Sequence, residues 1–561
     1  MGYKKKNIAI LVLAVVMVSF GVINIIIGLP NARLRVPVSR TLIVGLSSPP
    51  QVLDPVNSFD SSSNLVIEQV VETLFTYNLL DHSLPRVPHL AESYWWENTT
   101  TLHIKLREDI TFQDLTPFDA NATKWNLDRM LYLFNCTGTL PSSIEVGAPA
   151  SLYYFSDGVT PIINSVVSDY AYNVTIYLNN AFAPFLDLLC YTAGAMLSTN
   201  ATPVDDYIDL TSGRIVGTGP FVYEFYVPDV EIRLGRFESY WKEPAFFENL
   251  FMTIISDDMN RNNAMLNNSI DWLSGALTGM FPTFEGNPTI HYEKFTETYG
   301  ISDLSFASLG MNNELINVTW RKAISYAINY TYIIEILQNN SYIRANSPIS
   351  PGYGAAFNQS NSAADFDLIT ARQTLVDAGI AIGYPINSDI NDIYWLTNPL
   401  ISFNYTHVGS AIYEEIGIVL NNWLPAIGIQ VITNEVSWSE FLRKLSSDHD
   451  ELGLFFLIYP SIRNYKDPFY ELDSLFNPIS RVNAAQVNDT KLNVMMTLAL
   501  ETTDDTARNI IYKNIQWYLS NRLYPHIFLY HSNIYYVHSA DLRGVPYNAF
   551  GKFYAYPIYR V

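Results

Sequence analysis

The sequence predicts a mixed α/β protein with more than one lobe, preceded by a membrane-spanning segment. A chain of 561 residues is longer than one hydrophobic core normally serves, so two or three lobes are expected. Segments with the period of a strand and segments with the period of a helix alternate along the chain, which favours α/β lobes. The hydrophobic share of 48% and the charged share of 16% are typical of a folded protein.

The alternation can be followed element by element. Leu102, Ile104 and Leu106 alternate with polar neighbours, which predicts a half-buried strand. By the same criteria, strands are predicted at 41–45, 174–178 and 429–432, and helices at 64–74, at 411–424, at 505–522 and after Trp320. No period of about 20 to 50 residues repeats, which argues against a solenoid or a propeller.

The N-terminus predicts a membrane anchor. Three lysines at positions 4–6 precede an apolar run from Ile8 to Leu29, which is long enough as a helix to cross a bilayer core of about 30 Å. The lysines should stay inside, so the folded body is expected on the extracytoplasmic side of the cell membrane. Residues 1–30 are therefore interpreted as an uncleaved anchor, with a secretory signal as the alternative, and residues 31–40 as a linker.

The composition excludes some partners and leaves others open. The formal net charge of −21 would repel nucleic acid. Cys136 and Cys190 have no metal-ligand spacing, and they form either one disulfide or two free thiols. Aromatic residues make up 14% of the chain, which suits either ligand recognition or the half-wet positions of a large α/β protein. Twelve N-x-S/T sequons are consistent with a glycosylated surface protein.

The sequence shows no motif of the common enzyme classes. It contains no G-x-S-x-G elbow, no H-E-x-x-H helix and no nucleotide-binding P-loop. Asp257 and Asp258 are adjacent, so their side chains diverge, and they are interpreted as solvated surface. His526, His531 and His538 form the one histidine cluster, but on alternating strands His531 would face away from the other two. We therefore predict no enzyme activity, no cofactor and no metal site.

Nine short segments with specific patterns follow one another from Thr41 to about Tyr530. They are Gly45 with Leu53-Asp54-Pro55; 71–74 with 88–94; 102–129; 217–221; 240–241; Asn312 with 320–329; Ala371 with Leu375 and 378–379; 427–429; and Arg508 with Tyr512 and 524–525. The most telling is 102–129, which contains Ile110-Thr111-Phe112, Thr116-Pro117-Phe118-Asp119-Ala120 and Leu127-Asp128-Arg129.

In this order, the segments resemble the oligopeptide, dipeptide, nickel and oligosaccharide solute-binding proteins of ABC importers, the bacterial extracellular solute-binding family 5. The resemblance implies a two-lobed, periplasmic-binding-protein-like fold of type II with an extra subdomain. It places lobe I at 41–75, 200–290 and 515–561, the inserted subdomain at 76–199, and lobe II at 291–514. The chain is expected to cross between the lobes near 291–299 and again near 514–523.

Most of the matching segments have a structural interpretation. Leu53-Asp54-Pro55 is predicted to form a turn, and Thr116-Pro117 to start a helix. Gly217 and Gly219 are predicted to allow backbone conformations that other residues avoid. One departure from the family pattern is Leu115, because relatives usually have glycine after the aspartate at that position.

The resemblance also implies where the ligand binds. In peptide-binding relatives, the first acid of a late D-Y-x-D/E-P motif pairs with the α-ammonium of the peptide, but this chain has Asn464 there, with Asp467 before the proline. Asparagine carries no charge, which weakens the case for free peptides and favours a neutral oligosaccharide. The predicted ligand residues are Tyr459, Arg463, Asn464 and Tyr465 from the late segment, together with Asn57, Trp272 and Asn312.

The predicted function is that of an extracytoplasmic receptor that captures oligopeptides by hinge closure and delivers them to a membrane permease. The expected partners are a small solute, the permease and ATPase subunits of the importer, and the membrane, with the receptor itself a monomer. Capture of oligosaccharides by the same receptor is one alternative. A surface sensor or adhesin with the same fold and no transport role is another.

Overall fold

Two large sheets and one smaller sheet organise the protein in a computed structural model. The structure describes residues 39–58, 60–134, 152–155, 157, 159–211, 213–446, 449, 452–459, 465–480 and 483–561. The predicted anchor at 1–30, and Cys136, lie outside these residues. Within the described part, no helix has both the length and the apolar character needed to cross a membrane.

The first large sheet has seven strands. Their spatial order is Ile290–Glu293, Tyr536–Ser539, Trp272–Leu273, Thr41–Leu46, Asn249–Ile254, Glu231–Arg236 and Phe221–Val227. The central strand runs parallel to both of its neighbours. Its apolar side chains Leu42, Val44 and Leu46 are buried, which confirms the predicted strand at 41–45.

The second large sheet has six strands. Their order is Tyr342–Arg344, His526–Ser532, Phe306–Met311, Leu454–Tyr459, Ile401–Val408 and Ile429–Val436. All six residues of Phe306–Met311 are buried, so this central strand is covered on both faces. One face packs against the helices Val318–Ala327, Leu368–Asp377 and Ala411–Trp423, which supply much of the apolar cluster on that side.

A four-stranded antiparallel sheet lies within the range predicted for the inserted subdomain. Its order is Ala91–Asn98, Thr101–Leu106, Asn173–Leu178 and Ile163–Tyr170. Two short antiparallel pairs accompany the larger sheets, Phe75–Tyr77 with Arg86–Pro88 and Leu542–Arg543 with Tyr559–Arg560. The strands predicted at 102–106 and 174–178 are therefore confirmed.

The helices follow the predicted periodicity with small shifts at their ends. The remaining α-helices are Ser61–Val70, Ala120–Leu133, Phe185–Leu188, Asp258–Leu266, Phe281–Glu285, Phe295–Tyr299, Ile393–Thr397, Trp438–Ser446, Phe469–Phe476, Thr490–Glu501 and Asp505–Tyr518. The helix predicted at 64–74 begins earlier, because Asp60 accepts a hydrogen bond from the Ser63 amide and caps it. It ends at Val70. The helix predicted at 505–522 ends at Tyr518 and continues as a π-helical turn.

The chain passes between the two large sheets twice. It leaves the seven-stranded sheet after Glu293 and enters the six-stranded sheet at Phe306, close to the predicted first crossing. It returns between Ser532 and Tyr536, later than the predicted 514–523, because His526–Ser532 pairs with strands of the six-stranded sheet. This strand was assigned to lobe I, whereas its partners lie within 291–514. The rest of the predicted division into lobes stays a prediction.

The family-like segments have mainly structural roles. Asp54 caps the turn that follows it and forms a buried ion pair with Arg129, with Oδ2 2.5 Å from the guanidinium. Two distant motifs are thereby joined. The prediction for Thr116-Pro117 is wrong, because Asp119 caps the helix that begins at Ala120 and Pro117 forms a bridge with Thr111.

The prediction for Gly217 and Gly219 is also wrong in its reason. Neither glycine has a positive φ. They are required by close approach instead, because a Cβ on Gly219 would lie 2.7 Å from the carbonyl oxygen of Val70. Leu115 is the residue with the unusual backbone, at φ 65°, where the family usually has glycine.

Candidate functional site

Four of the predicted ligand residues belong to residues 459–468, called the late segment here, and the structure describes two of them, Tyr459 and Tyr465. Tyr459 ends the strand Leu454–Tyr459, and its ring stacks on Phe306 with centroids 4.8 Å apart. Arg463 and Asn464 lie outside the described residues. The described chain resumes at Tyr465, whose side chain is buried, and burial raises the pKa of its hydroxyl.

Asn312 does not lie beside Tyr459. The strand register pairs Phe306 with Tyr459 and Met311 with Leu454, so Asn312 follows the opposite end of the sheet. Six residue steps of about 3.4 Å separate the two ends by roughly 20 Å. The side chain of Asn312 is engaged there: its amide donates to the His449 carbonyl, and its Oδ1 accepts from two backbone amides.

Trp272 and Asn57 belong to the surroundings of the seven-stranded sheet. Trp272 is buried against Phe553, with ring centroids 4.8 Å apart, and it stacks on His538. Asn57 ends the short helical turn after Asp54. The Oδ1 atom of Asn57 is buried, and no partner for it exists in the described part of the chain, so it is free to accept a hydrogen bond.

Asp467, two residues beyond Tyr465, is fully engaged by its own surroundings. Its Oδ1 accepts hydrogen bonds from the Tyr512 hydroxyl at 2.5 Å and from the Phe469 amide at 2.9 Å. Its Oδ2 lies 3.0 Å from the guanidinium of Arg508. Burial raises the pKa of this carboxyl, and the charge of Arg508 opposes that rise. This geometry supports a structural role for the acid before the proline.

A second polar cluster, formed by Tyr77, Arg86 and Asp187, contacts the late segment at Lys466, although it lies far from that segment in the sequence. The Tyr77 hydroxyl donates to Asp187 at 2.7 Å and accepts from the Lys466 amide at 2.9 Å. Asp187 also forms an ion pair with Arg86. Burial would lower the pKa of Arg86, but the carboxylate of Asp187 raises it above its ordinary value. Nothing in the sequence flags Tyr77, Arg86 or Asp187, because the contact spans almost 400 positions.

A cavity with a volume of about 360 Å³ lies beside Glu72. Its lining includes the end of the helix Ser61–Val70, the strand pair around Thr76–His89 and the segment 552–557. None of the predicted ligand residues lines it. Glu72 at its wall accepts hydrogen bonds from His89, Thr218, Tyr240 and Trp241.

The histidine cluster of the sequence does not form in space. His526 and His531 lie on one strand of the six-stranded sheet, and His538 lies in the seven-stranded sheet. Burial lowers the pKa of His526 to about 3 and that of His531 to about 4, so both rings are neutral. The described residues contain no group of three or more side chains positioned to hold a metal ion.

Comparison with known proteins gives a consistent family. The profile described as "Bacterial extracellular solute-binding proteins, family 5 Middle" matches residues 86–479. Glutathione-binding protein GsiB of Shigella flexneri serotype 5b is 26% identical over 353 residues, which are 62% of this chain and 63% of the relative. The match thus spans less than two thirds of that relative's length.

Solved structures share the fold. HbpA2 from Haemophilus parasuis has a TM-score of 0.75 at 20% identity, covering 93% of this chain and 100% of that chain. The dipeptide binding protein from Pseudoalteromonas sp. SM9913, in complex with Met-Leu, has a TM-score of 0.68 at 21% identity with the same coverage. These likenesses confirm the mixed α/β, periplasmic-binding-protein-like fold.

The family match covers most of the chain and includes the late segment and the inserted sheet. The matched family is one of solute-binding proteins, which confirms the predicted resemblance and the prediction that the chain is not an enzyme. This chain belongs to the bacterial extracellular solute-binding proteins of family 5.

Proposed function

We propose that the chain is the extracytoplasmic solute receptor of an ABC importer and that it captures oligopeptides. The observation that carries this proposal is the family match over residues 86–479. Among the similar proteins, one is named a glutathione-binding protein and another was solved with the dipeptide Met-Leu. Both ligands are short peptides, which favours a peptide solute here.

Hinge closure supplies the mechanism. Two passages of the chain connect the large sheets, between Glu293 and Phe306 and between Ser532 and Tyr536. Two bodies joined by so few connections can rotate about them and enclose a ligand. A ligand that contacts both bodies binds the closed form more tightly, so it shifts an existing equilibrium between open and closed forms. The closed form is then the one that the permease receives.

We propose that the residues predicted from the sequence contact the ligand. They are Tyr459, Arg463, Asn464 and Tyr465, with Asn57, Trp272 and Asn312 in second place. Among the weaker three, Asn57 has the strongest support because its Oδ1 has no partner in the described chain. Asn312 has the weakest support, because its side-chain atoms already bind backbone groups.

Oligosaccharides are the second candidate solute. Asp467 has both oxygens engaged, so it does not offer a ready site for a peptide ammonium, and Asn464 carries no charge. Exposed or half-buried aromatic rings such as Tyr459 suit a sugar ring as well as a peptide side chain. A sensor or adhesin without transport remains the alternative role, which genes for a permease and an ATPase beside this one would argue against.

Further parts of the proposal concern the setting of the receptor. Residues 8–29 anchor it in the membrane, and its sequons carry glycans on the outer face. It works as a monomer with the permease and ATPase subunits of the importer. Mass spectrometry of the intact protein would test both the retention of the N-terminal segment and the presence of glycans.

A thermal-shift screen tests the solute. Full-length protein in detergent is heated with Met-Leu, glutathione, tri- to pentapeptides or maltotriose. A solute at 100 times its Kd should stabilise the protein by about 2.7 kcal/mol and raise the midpoint. A shift with sugars alone would contradict peptide capture. No shift with any of these compounds would contradict the receptor role for both solute classes.

Asn464→Ala tests the predicted site. The variant should weaken binding of the best solute about tenfold or more while the unfolding midpoint of the free protein stays unchanged. Asn391→Ala serves as the control, because Asn391 is exposed and lies in a different segment. Unchanged affinity in Asn464→Ala would remove this residue from the site.

A further inference from the structure

One tyrosine hydroxyl joins two parts of the chain that are far apart in sequence. Tyr77 ends the short strand Phe75–Tyr77, at the start of the predicted inserted subdomain, and its side chain is buried. It accepts a hydrogen bond from the Lys466 amide at 2.9 Å and donates one to Asp187 at 2.7 Å. Both hydrogen-bonding functions of this one oxygen are therefore used, one on each side of the junction.

Other contacts cross the same junction. The Lys466 ammonium donates to the Ser83 carbonyl, and the guanidinium of Arg86 lies 3.6 Å from Asp505. The rings of Phe182 and Phe469 meet edge to face with centroids 5.9 Å apart. The region that contains Tyr77 and Asp187 is thus fitted to the face formed by 465–505.

The segment Tyr465–Pro468 is held from two sides. On one side, Arg508 and Tyr512 bind the side chain of Asp467. On the other side, Tyr77 binds the backbone of Lys466. The two attachments involve adjacent residues but different atoms. Loss of the Tyr77 hydroxyl would leave the attachment through Asp467 and the contact of the Lys466 ammonium with Ser83 intact, so the segment would stay folded and lose only the hydrogen bond from its backbone to Tyr77.

We propose that Tyr77 is a positioning residue for solute binding, which it supports by fixing the backbone of Lys466 next to the predicted ligand residues. The inference rests on the proposed receptor function, because Lys466 follows the predicted ligand residues Asn464 and Tyr465 directly in the sequence. The Tyr77 region therefore contributes to affinity without touching the solute. Asp187 and Arg86 hold the tyrosine hydroxyl in the orientation that accepts from the Lys466 amide.

The test compares Tyr77→Phe with Tyr153→Phe in the full-length protein. Tyr153 is a matched control because its hydroxyl is also buried and also makes a hydrogen bond, to the Leu188 carbonyl at 3.1 Å. That bond lies within the Tyr77 side of the junction and does not reach residues 465–505. Each variant removes one hydroxyl and keeps the ring.

Two readouts are measured for each variant. Hydrogen–deuterium exchange of the peptide containing Lys466 is followed without solute, and the Kd for Met-Leu, glutathione and maltotriose is measured by calorimetry. Tyr77→Phe should raise exchange at Lys466 about tenfold and weaken the Kd of the bound probe about tenfold, mainly through faster release. Tyr153→Phe should change neither quantity, although it lowers the unfolding midpoint.

The outcomes separate the two proposals. Unchanged exchange at Lys466 in Tyr77→Phe contradicts a role for Tyr77 in fixing the Lys466 backbone, whether or not any probe binds. Raised exchange with an unchanged Kd overturns the positioning role and leaves a purely structural contact. Failure of the wild-type protein to bind any of the three probes contradicts the proposed receptor function for these solutes, while the exchange measurement still decides whether Tyr77 fixes the Lys466 backbone.

Discussion

The surroundings of Glu72 and Glu471 show two ways of burying a carboxyl group in one protein. The two residues are equally enclosed, at 6% and 7% exposure. Glu72 accepts hydrogen bonds from four side chains, and Glu471 accepts one from the Tyr353 hydroxyl. The Oε2 atom of Glu471 is buried and has no partner in the described chain.

The pKa values of the two groups shift in opposite directions. Burial would raise the pKa of Glu72, but His89 and the other donors lower it below the ordinary value, so the group is ionised. Burial raises the pKa of Glu471 to about 8, because the hydrogen bonds from the Tyr353 hydroxyl and from its own backbone amide do not offset the lost solvation. The charge of His89 and the donors around Glu72, not the degree of burial, therefore separate the charge states of the two groups.

The difference in charge state separates two structural roles. Glu72 joins the end of the helix Ser61–Val70 to residues 89, 218 and 240–241, all of which belong to family-like segments. Glu471 lies on the helix Phe469–Phe476, directly after the segment that Tyr77 and Arg508 hold. Glu72 stays ionised and holds these segments together through its hydrogen bonds, whereas Glu471 changes charge near neutral pH.

Removing the Glu72 carboxylate is expected to have the largest effect. Glu72→Ala leaves the Tyr240, Trp241 and Thr218 donors buried without an acceptor and removes the partner of His89. The cost in free energy of unfolding should be about 3–5 kcal/mol, measured by urea denaturation. Glu92→Ala is the control, because Glu92 is exposed and its ion pair with Lys105 lies at the surface. Similar losses in both variants would contradict a special role for the Glu72 network.

The pH dependence of stability should reveal Glu471. Its folded pKa of about 8 lies above its unfolded value, so the folded state holds the proton more tightly. The resulting stability is fully present below the unfolded pKa near 4.5 and is lost as the pH rises to about 8. Between pH 5 and pH 8 this group alone should remove about 3 kcal/mol from the free energy of unfolding.

Glu471→Gln isolates that contribution. Glutamine mimics the protonated carboxyl and does not titrate, so the free energy of unfolding of the wild type relative to the variant should fall by about 3 kcal/mol between pH 5 and pH 8. Urea denaturation at several pH values measures the profile. Burial lowers the pKa of His526, His531 and His538 to about 3 to 4, so these rings add stability as the pH rises towards their unfolded pKa near 6.5, and this effect is the same in both proteins and cancels in the difference. Parallel profiles for the wild type and the variant would show that Glu471 is ionised across this range.

The close packing around Glu72 can be tested through Gly219. A Cβ at this position would lie 2.7 Å from the Val70 carbonyl oxygen, and its three nearest atoms all belong to the backbone of Gln69 and Val70. Gly219→Ala should lower the free energy of unfolding by about 1–3 kcal/mol in urea denaturation. Gly279→Ala should have little effect, because nothing lies within 4 Å of its added Cβ. Equal effects would show that the glycine serves chain flexibility instead.

Sequence patterns predicted most of the elements and the family, because periodicity and turn chemistry are local signals. Alternation identified Thr101–Leu106, and the apolar run at 41–45 identified the central strand of the seven-stranded sheet. The second crossing was predicted too early in the chain, because the apolar sequence of the buried strand His526–Ser532 is compatible with either sheet. Which sheet a buried strand joins depends on pairing between residues far apart in sequence.

The site was less predictable for the same reason. The motif around Asp467 directed attention to the late segment, yet its partners Arg508 and Tyr512 appeared in the sequence only as family matches. Tyr77 and Asp187 carried no signal, since their contacts with Lys466 and Arg86 exist only in three dimensions. Asn312 was grouped with Tyr459, but the strand register separates them.

Leu115 offers the smallest and most local test near the Glu72 network. Its turn adjoins Gln113, which binds the backbone of Gly217 and Gly219, and its side chain is 68% exposed. A non-glycine residue at φ 65° is strained, so Leu115→Gly should raise the free energy of unfolding by about 0.5–1 kcal/mol. Leu115→Ala is the matched control, because it removes the same exposed side chain but keeps the strained Cβ. Urea denaturation of both variants decides the cause: a gain in the glycine variant alone comes from the backbone, whereas an equal gain in both would come from the loss of an exposed apolar side chain.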